Sequence, residues 1–307
     1  MGWELLDVGG AALAQCWQRC LDAAPAPTPF QTWPFVRRWL DVFGPELEPR
    51  FYFHPGPPLL LPLVAWRGEV RFAGHGLFDY LDLIGAPHPA LEVEAAALLT
   101  SPPGRAVHVR GVPAASPFRH CWRALAPLAR PFATAPWRPA GPAAAVGSVH
   151  LRARWRHARL ELRPVTEPGA RRRALDWLLH HKAEALAARG VANVLGAPEA
   201  RWLLAMVEAE PATAELWLLR RDETTLSALL AFAMPRVRFA YTIAYDRQAA
   251  SLSPGLLLLY ALVCRSMDER RDFNFLTGEQ AFKLRLATGR DQLMCYQRQP
   301  THAEHAY

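Results

Sequence analysis

Hydrophobic and polar positions follow their most regular pattern in the second half of the chain. Apolar residues recur at helical spacing over 169–188, with a stop signal at Arg189 and Gly190, and again over 198–207. Three stretches of strand-type residues follow between short polar turns, at 214–219, 226–234 and 238–245. The pattern predicts two helices followed by an antiparallel meander.

A serine, a proline and a glycine precede four leucines in the stretch SLSPGLLLLY. The stretch predicts a loop that turns into a buried helix over 256–267. Ser251 or Ser253 lies near the N-cap, and Pro254 suits the first turn, where its missing N–H is harmless. Unpaired amides at such a helix start can bind phosphate, and Gly255 would let a ligand approach the backbone. A capped core helix without a ligand explains the same residues.

The remaining elements are shorter. A strand is predicted over 272–276, a turn and helix over TGEQAFKLRLATG, and a last strand over 292–297. In the first half, an amphipathic helix is predicted over 29–44. Strand candidates follow it at 50–53, 59–66 and 69–72. Pro62 fits an edge strand or a bulge better than a central strand, because it has no N–H to donate.

Length and composition indicate two globular domains. The chain has 307 residues, more than a typical single domain, and its 51% hydrophobic content can build sizeable cores. A Pro- and Ala-rich stretch over 118–146 includes a predicted connection around 139–147. We therefore place an N-terminal domain over 1–147 and a C-terminal domain over 148–307.

Charge and cysteine content narrow the range of expected binding partners and compartments only slightly. Lys and Arg number 35 against 28 Asp and Glu, a net charge of +7. The arginine clusters at 152–156 and 171–173 fit either an anionic partner or a solvated surface. Five scattered cysteines fit reduced thiols in a cytoplasmic protein. No secretory signal and no apolar run of transmembrane length is visible, so a soluble protein is expected.

The sequence predicts no metal site. His180 and His181 adjoin on the long predicted helix, and without a third ligand nearby they are interpreted as surface or core residues. Cys16 and Cys20 lie four positions apart, but no second ligand pair with zinc spacing follows. The signatures of P-loop proteins, HExxH zinc enzymes and GxSxG hydrolases are also absent.

Several local motifs occur in an order that carries a family resemblance. They are Tyr245-Asp246, Ser253-Pro254-Gly255, Phe273-Asn274-Phe275 and the stretch GEQAFK from Gly278 to Lys283. The order and the residues of these motifs resemble the GNAT (Gcn5-related N-acetyltransferase) superfamily. They resemble more closely its bacterial CelD/BcsL-like branch, which is associated with cellulose and other exopolysaccharide loci. The resemblance is strongest over 165–298, while TPFQTWPFVRRW and DYLDLIG look like the branch's N-terminal landmarks.

The resemblance implies the fold. The two halves together are similar to the tandem GNAT-like pair of the Fem-type aminoacyltransferases. An α/β fold is therefore expected, in which two tandem GNAT-like domains each have a mixed sheet flanked by helices. The C-terminal domain is the better match and would bind acyl-CoA, while the N-terminal domain would lie on the acceptor side.

The resemblance also implies acetyl-CoA or another acyl-CoA as the co-substrate. The edge of the strand that ends at Tyr245 would bond the pantetheine arm, and the following loop and helix start would bind the pyrophosphate. The cofactor-binding residues so implied are Thr242, Ala244, Arg247, Ser251, Leu252, Ser253, Pro254, Gly255 and Leu256. The superfamily's usual loop signature, Gln/Arg-x-x-Gly-x-Gly/Ala, is absent, and Arg247 with the serines and Gly255 stands in its place.

Acyl transfer to an amine requires a base, and the departing thiolate often requires an acid. Glu279 is the implied base or acceptor-orienting group, although a carboxylate also suits a helix start without any catalytic role. Lys283 could pair with Glu279 at i,i+4. Phe282 stands where the branch usually has tyrosine, so Tyr245 becomes the nearest proton donor by motif order. Tyr245 could equally be a core aromatic residue at a strand end.

The acceptor side is implied to involve Asp79, Tyr80 and Asp82, because carboxylates there could bind an amine or sugar hydroxyls. The same carboxylates also fit structural groups with polar partners, which buried carboxylates require.

The expected function is an acyl-CoA-dependent N- or O-acyltransferase that acts on a saccharide or amino-sugar acceptor in exopolysaccharide or cell-envelope metabolism. One alternative is a catalytically silent GNAT-like binding or assembly module of a polysaccharide-synthesis system, motivated by Phe282 and the missing glycine signature. Another is a Fem-like transferase that uses aminoacyl-tRNA, which the positive charge favours mildly. Polysaccharide-synthesis proteins are the expected partners, and no specific nucleic acid is expected.

Overall fold

The protein is described by a computed structural model over residues 2–101, 105–147 and 149–299. It packs as two compact units, Met1–Ala133 with Asp291–Tyr307, and Thr134–Arg290. We call these the first and the second unit. Strands and helices contribute to both, and each unit contains antiparallel and parallel strand pairs. The predicted α/β class is confirmed. The predicted division into 1–147 and 148–307 stays a prediction, and residue 148 lies outside the described ranges.

The elements are numbered in chain order. The strands are β1 (Glu4–Leu6), β2 (Glu48–Pro55), β3 (Pro58–Trp66), β4 (Glu69–Phe72), β5 (Ile84–Gly85), β6 (Ala106–Pro113), β7 (Ala129–Arg138), β8 (Glu161–Val165), β9 (Ala214–Arg221), β10 (Thr224–Ala233), β11 (Val237–Tyr245), β12 (Asp272–Asn274) and β13 (Gly289–Arg298). The helices are α1 (Leu13–Ala23), α2 (Trp33–Phe43), α3 (Pro89–Thr100), α4 (Arg119–Ala124), α5 (Val149–His157), α6 (Pro168–Ala187), α7 (Ala197–Ala209), α8 (Pro254–Asp268) and α9 (Ala281–Leu284). Across the described residues, no helix combines the length and the apolar character that crossing a membrane requires.

In the first unit, β1, β2, β3 and β4 form an antiparallel sheet, and β6 joins β4 in parallel. Strand β13 then pairs antiparallel with β6, from Leu293 opposite Pro113 to Arg298 opposite Val107. The last strand of the described residues therefore pairs with a strand of the first unit. The predicted strands at 50–53, 59–66 and 69–72 are confirmed as β2, β3 and β4.

Pro62 lies in a central strand, which corrects its predicted place at an edge or a bulge. Strand β3 pairs with β2 on one side, and on the other side it pairs first with β5 and then with β4. The Pro62 carbonyl accepts a hydrogen bond from the Ala73 amide, so its ring nitrogen faces the same side. That side lies between the β5 and β4 pairings, where no ladder bond requires the missing N–H.

In the second unit, β8, β9, β10 and β11 form an antiparallel sheet, β12 pairs in parallel with β11, and β7 pairs antiparallel with β12. The predicted order of two helices and a meander is confirmed as α6, α7, β9, β10 and β11. Strand β7 lies in the Pro- and Ala-rich stretch 118–146, where no strand was predicted. Its pairing with β12, from Phe273 opposite Arg138, supplies long-range contacts that local composition does not reveal.

Helix α8 explains why four leucines follow one another. Residues Leu256 to Leu259 are all buried, and the helix packs against β9, β10, β11 and β12. Trp217, Phe273 and Phe275 belong to the same core cluster. The predicted buried helix is therefore confirmed, and its apolar residues on all sides reflect a position inside the second unit rather than at its surface.

The arginine cluster 171–173 does not form one solvated surface. The Arg171 side chain is buried in the second unit, and its guanidinium donates to the backbone carbonyls of Val165, Val207 and Ala214 at 2.6–3.2 Å. Burial lowers the pKa of Arg171. Arg172 remains exposed and forms an ion pair with Glu208. Arg171 therefore ties the ends of β8, α7 and β9 together.

Candidate functional site

One edge of strand β11 is left open near its end. The parallel pairing with β12 runs from Val237 opposite Asp272 to Phe239 opposite Asn274, where β12 ends. Strand β11 continues for another six residues to Tyr245, paired with β10 on its other side. Within the described residues, no strand covers the β12-facing edge of this last part of β11. An edge of this kind offers backbone N–H and C=O groups to a ligand.

A β-bulge sets which peptide groups face that edge. The register passes from Leu230 opposite Thr242 to Ala231 opposite Ala240, so Tyr241 is the extra residue. Beyond it, the Ala244 carbonyl accepts a bond of 2.7 Å from the hydroxyl of Ser227 in β10. Ala244 therefore faces β10. Because peptide groups alternate along a strand, those of Ile243 and Tyr245 face the open edge.

Two polar side chains lie close to this part of β11. Lys182 of α6 reaches the Ile243 carbonyl, with its Nζ at 3.5 Å, and burial, followed by the charge of Arg189, lowers its pKa. Thr242 is 8% exposed, and its buried hydroxyl finds no hydrogen-bond partner among the described residues. A buried hydroxyl without a partner is destabilising, so a ligand group that bonded to it would be favoured.

The chain turns sharply between β11 and α8. The Asp246 carboxylate accepts a bond from the Gln248 amide and so begins the 3₁₀ turn Arg247–Leu252. Ser253 follows at the N-cap of α8 with a φ of 52°, in the left-handed region, and Pro254 is the first residue of the helix. The expected N-cap and first-turn positions of these two residues are confirmed. The Ser251 carbonyl accepts a bond from Arg154.

Gly255 faces the end of β11. A Cβ atom placed on it would lie 3.5 Å from Cδ1 of Tyr245 and 3.7 Å from Cδ1 of Ile243. Both are ordinary van der Waals distances, so alanine fits at this position without strain. A large side chain would extend toward the open edge and fill the space beside it.

A cavity of about 640 Å³ lies at this end of the strand. Tyr245, Asp246 and Arg247 line it, together with His180, His181 and Glu184 of α6. Two residues predicted from the sequence, Tyr245 and Arg247, therefore meet at one cavity. The α6 residues were not expected there. The sequence HHKAE nevertheless places Glu184 four positions after His180 and three after His181, on the same helix face.

Glu279 and Lys283 have other surroundings. Glu279 lies in the loop after β12, and its Oε1 accepts from Nη1 of Arg290 at 3.2 Å. Helix α9 begins later, at Ala281. Lys283 donates from Nζ to the Thr277 carbonyl. Phe282 packs against the core cluster that includes α8. Neither Glu279 nor Lys283 is among the described residues that line the cavity.

Asp82 is a buried carboxylate in the first unit, 6% exposed. Its Oδ1 accepts from Nε1 of Trp122 and from the Leu83 amide, each at 2.9 Å. Burial raises the pKa of Asp82 to about 7, although bonds from Ser116, Leu83 and Trp122 oppose the shift. The expectation that this carboxylate has polar partners is confirmed.

Asp79 and Tyr80 lie beside it in the same unit. The Tyr80 hydroxyl donates to Oδ2 of Asp291 at 2.9 Å, and its ring is buried. Asp79 is half-buried. Its carbonyl oxygen would lie only 2.6 Å from a Cβ on Gly111, whose φ is +83°, so glycine permits a close backbone approach there. The Leu81 amide donates to the Gly111 carbonyl in the same contact region.

Residues 149–284 match a family model described as "Acetyltransferase (GNAT) domain". Over this stretch, which is less than half of the chain, the sequence is similar to GNAT acetyltransferase domains. The matched residues include α6, the meander, the open edge of β11 and α8, so the match covers the candidate site. A comparison with curated proteins found no significant relative.

Solved structures share the fold of this protein over nearly its whole length. FemX aligns with a TM-score of 0.64 at 10% identity, covering 96% of this chain and 97% of its own. L-PGS from Bacillus licheniformis aligns with a TM-score of 0.60 at 13% identity, covering 97% and 96%. A tandem GNAT protein from the clavulanic acid biosynthesis pathway aligns with a TM-score of 0.53 at 14% identity, covering 98% and 99%. At these identities the likeness shows the fold, and with the family match it supports a GNAT-type acyltransferase.

Proposed function

We propose that the protein transfers an acyl group from an acyl-CoA, with acetyl-CoA as the first candidate, to an amine or hydroxyl acceptor. The observation that carries the proposal is the open edge of β11 next to the start of α8. An extended pantetheine arm carries amide groups that can pair with a strand edge, and a helix start suits its pyrophosphate.

In this proposal the pantetheine arm bonds to the peptide groups of Ile243 and Tyr245, which alternation directs to the open edge. The buried Thr242 hydroxyl, which has no partner among the described residues, belongs to the residue directly before Ile243. The pyrophosphate is placed along the turn and helix start from Arg247 to Leu256, where Arg247 neutralises charge and the backbone supplies N–H donors.

The reaction forms one bond to the acyl carbon and breaks another, and a proton moves from the acceptor to the departing thiolate. The acceptor nitrogen or oxygen attacks the thioester carbonyl, and the C–S bond then breaks to release CoA. Glu279 removes the acceptor proton directly or through water, and Tyr245 returns a proton to the departing thiolate. Lys283 holds the Glu279 loop through its bond to the Thr277 carbonyl. A backbone N–H at the edge of β11 stabilises the oxyanion.

We propose a saccharide or amino sugar as the acceptor, in exopolysaccharide or cell-envelope metabolism. This finer assignment is supported by the resemblance to the CelD/BcsL-like branch in Ser253-Pro254-Gly255 and in the stretch from Gly278 to Lys283. Asp79, Tyr80 and Asp82 are proposed to bind or position the acceptor. Because Tyr80 and Asp82 are buried and already bonded, they would act mainly by holding Asp79 in place.

The fold shared with FemX keeps a second candidate open, a Fem-like transfer of an aminoacyl group from charged tRNA. The two candidates differ in their donor substrate. An acyl-CoA transferase binds acetyl-CoA as the isolated protein, whereas a tRNA-dependent enzyme binds aminoacyl-tRNA with a salt-dependent affinity.

Calorimetry with acetyl-CoA and longer acyl-CoAs tests the proposed donor. Wild-type protein is expected to bind at least one of them. Gly255→Trp is expected to abolish binding because its side chain fills the space beside the open edge, whereas the matched control Gly255→Ala, which fits at 3.5 Å from Tyr245, should bind as the wild type does. Equal affinity in wild type and Gly255→Trp would overturn the proposed position of the cofactor.

Turnover separates the remaining alternatives. Release of free CoA thiol is followed with a panel of amino sugars, oligosaccharides and amines, and in parallel with aminoacyl-tRNA as donor. Thiol release that depends on a saccharide supports the proposal. Binding of acyl-CoA without turnover on any acceptor would favour a silent binding module, and binding of aminoacyl-tRNA alone would favour the Fem-like candidate.

A further inference from the structure

Three side chains of α6 that carry metal-ligating atoms lie close together. His180, His181 and Glu184 occupy positions i, i+1 and i+4, and one ligand atom from each lies within 4.8 Å of the other two. Nε2 of His180 is already 3.3 Å from Oε1 of Glu184. Ligands of one tetrahedral ion with bonds of about 2.1 Å lie about 3.4 Å apart, so the His180–Glu184 pair has nearly that spacing.

One hydrogen bond indicates which ring nitrogen of His181 is available to a metal ion. Its Nδ1 lies 3.0 Å from the Trp177 carbonyl oxygen. A carbonyl oxygen only accepts, so Nδ1 carries the proton and Nε2 keeps its lone pair. The His181 ring also stacks on the Trp177 ring, with centroids 3.8 Å apart and planes at 20°. Histidines that bind metals are commonly oriented in this way by a carbonyl that accepts from the other ring nitrogen.

The three side chains also line the cavity at the end of β11. His180 and Glu184 are largely exposed, with 67% and 51% of their side chains accessible, so small rotations can bring the ligand atoms closer. Asp246 and Arg247 line the same cavity. The carboxylates of Glu184 and Asp246 carry two negative charges against the one positive charge of Arg247, so the surroundings favour a cation. Water can complete the coordination from the open side.

We propose that His180, His181 and Glu184 bind one divalent transition-metal ion, with Zn²⁺ as the best match. Two imidazoles and one carboxylate suit zinc, whereas Mg²⁺ and Ca²⁺ prefer oxygen ligands alone. This proposal differs from the sequence-based expectation of no metal site, which rested on the absence of a third ligand near the two histidines. The proposal concerns metal binding only and does not depend on the proposed acyl transfer.

Isothermal titration calorimetry of the chelator-treated protein with Zn²⁺ tests the site. The wild-type chain is expected to bind Zn²⁺, and His181→Ala and Glu184→Gln are each expected to weaken binding at this site by tenfold or more. The matched control is His157→Ala, which removes an exposed histidine of α5 and should leave the affinity unchanged. Circular dichroism on each variant confirms that the fold is retained.

Substitution of Co²⁺ for Zn²⁺ identifies the ligands independently. A site made of imidazole and carboxylate gives ligand-field absorption without a thiolate charge-transfer band. The spectrum should disappear in Glu184→Gln and persist in Cys16→Ser. The proposal is overturned if the wild-type chain binds no Zn²⁺, if His181→Ala and Glu184→Gln bind like the wild type, or if the cobalt spectrum shows thiolate ligation and is lost in Cys16→Ser.

Discussion

The role proposed for Glu279 can be separated from its structural contribution by replacing it with glutamine. In the folded protein, Glu279 pairs with Arg290 at 3.2 Å, and the two side chains are 48% and 57% exposed. Exposed ion pairs of this kind contribute about 0.2–1 kcal/mol to stability. Glutamine keeps one acceptor oxygen, so Glu279→Gln should lower the unfolding free energy by less than about 1 kcal/mol. A change of that size shifts the melting temperature by at most about 4 °C.

The catalytic effect should be much larger than the structural one. Positioned general bases contribute about 10²–10⁴-fold to rate. Loss of the carboxylate is therefore expected to lower kcat on the order of 10²-fold or more, which corresponds to about 2.7 kcal/mol in the transition state. Affinity for acyl-CoA should not change, because the proposed cofactor site lies along β11 and the start of α8 and not in the Glu279 loop.

Arg290→Gln is the matched control, because it breaks the same ion pair and leaves the Glu279 carboxylate in place. Thiol release gives kcat, calorimetry gives acyl-CoA affinity, and thermal unfolding gives stability for both variants. The reasoning predicts a large loss of kcat in Glu279→Gln and a small one in Arg290→Gln. Wild-type kcat in Glu279→Gln would refute the base assignment, and equal losses in the two variants would show that the ion pair, not the carboxylate, is responsible.

Two further predictions concern stability. Arg171→Met removes the guanidinium that donates to three buried backbone carbonyls, so urea unfolding should show an unfolding free energy lower by about 3 kcal/mol. Arg172→Met removes only an exposed ion pair, so its unfolding free energy should fall by less than about 1 kcal/mol. Equal losses in the two variants would contradict the structural role assigned to Arg171. Burial raises the pKa of Asp82 from 3.8 to about 7 in the folded state. Between about pH 4 and 7 the folded protein therefore holds a proton that the unfolded chain releases. The unfolding free energy should fall as pH rises through this range. Asp82→Asn keeps the acceptor oxygen but cannot titrate, so urea unfolding across this pH range should show a weaker decline; an unchanged pH dependence would count against a raised pKa.

Local patterns were sufficient for much of the second unit. The period of the apolar residues in α6 and the alternation in β9 and β10 depend on neighbours in sequence, and both were predicted to within a few residues. The start of α8 was predicted as well, because Pro254 favours a first helical turn whatever the rest of the fold does. The glutamate spaced to join the two histidines of α6 was also readable from the sequence HHKAE, but nothing in the sequence indicated that the three residues line a cavity.

Tertiary contacts decided the rest. Strand β7 contains two prolines, and its last two residues pair with β12, more than a hundred residues later in sequence. Arg171 and Arg172 are chemically identical, and only the packing of α6 against α7 and β9 determines that the first is buried and the second exposed. The open edge of β11 exists because β12 ends at Asn274, so its position depends on where a distant strand stops. Sequence periodicity records which side of an element is apolar, but which groups meet across space is set by the packing of elements that are far apart along the chain.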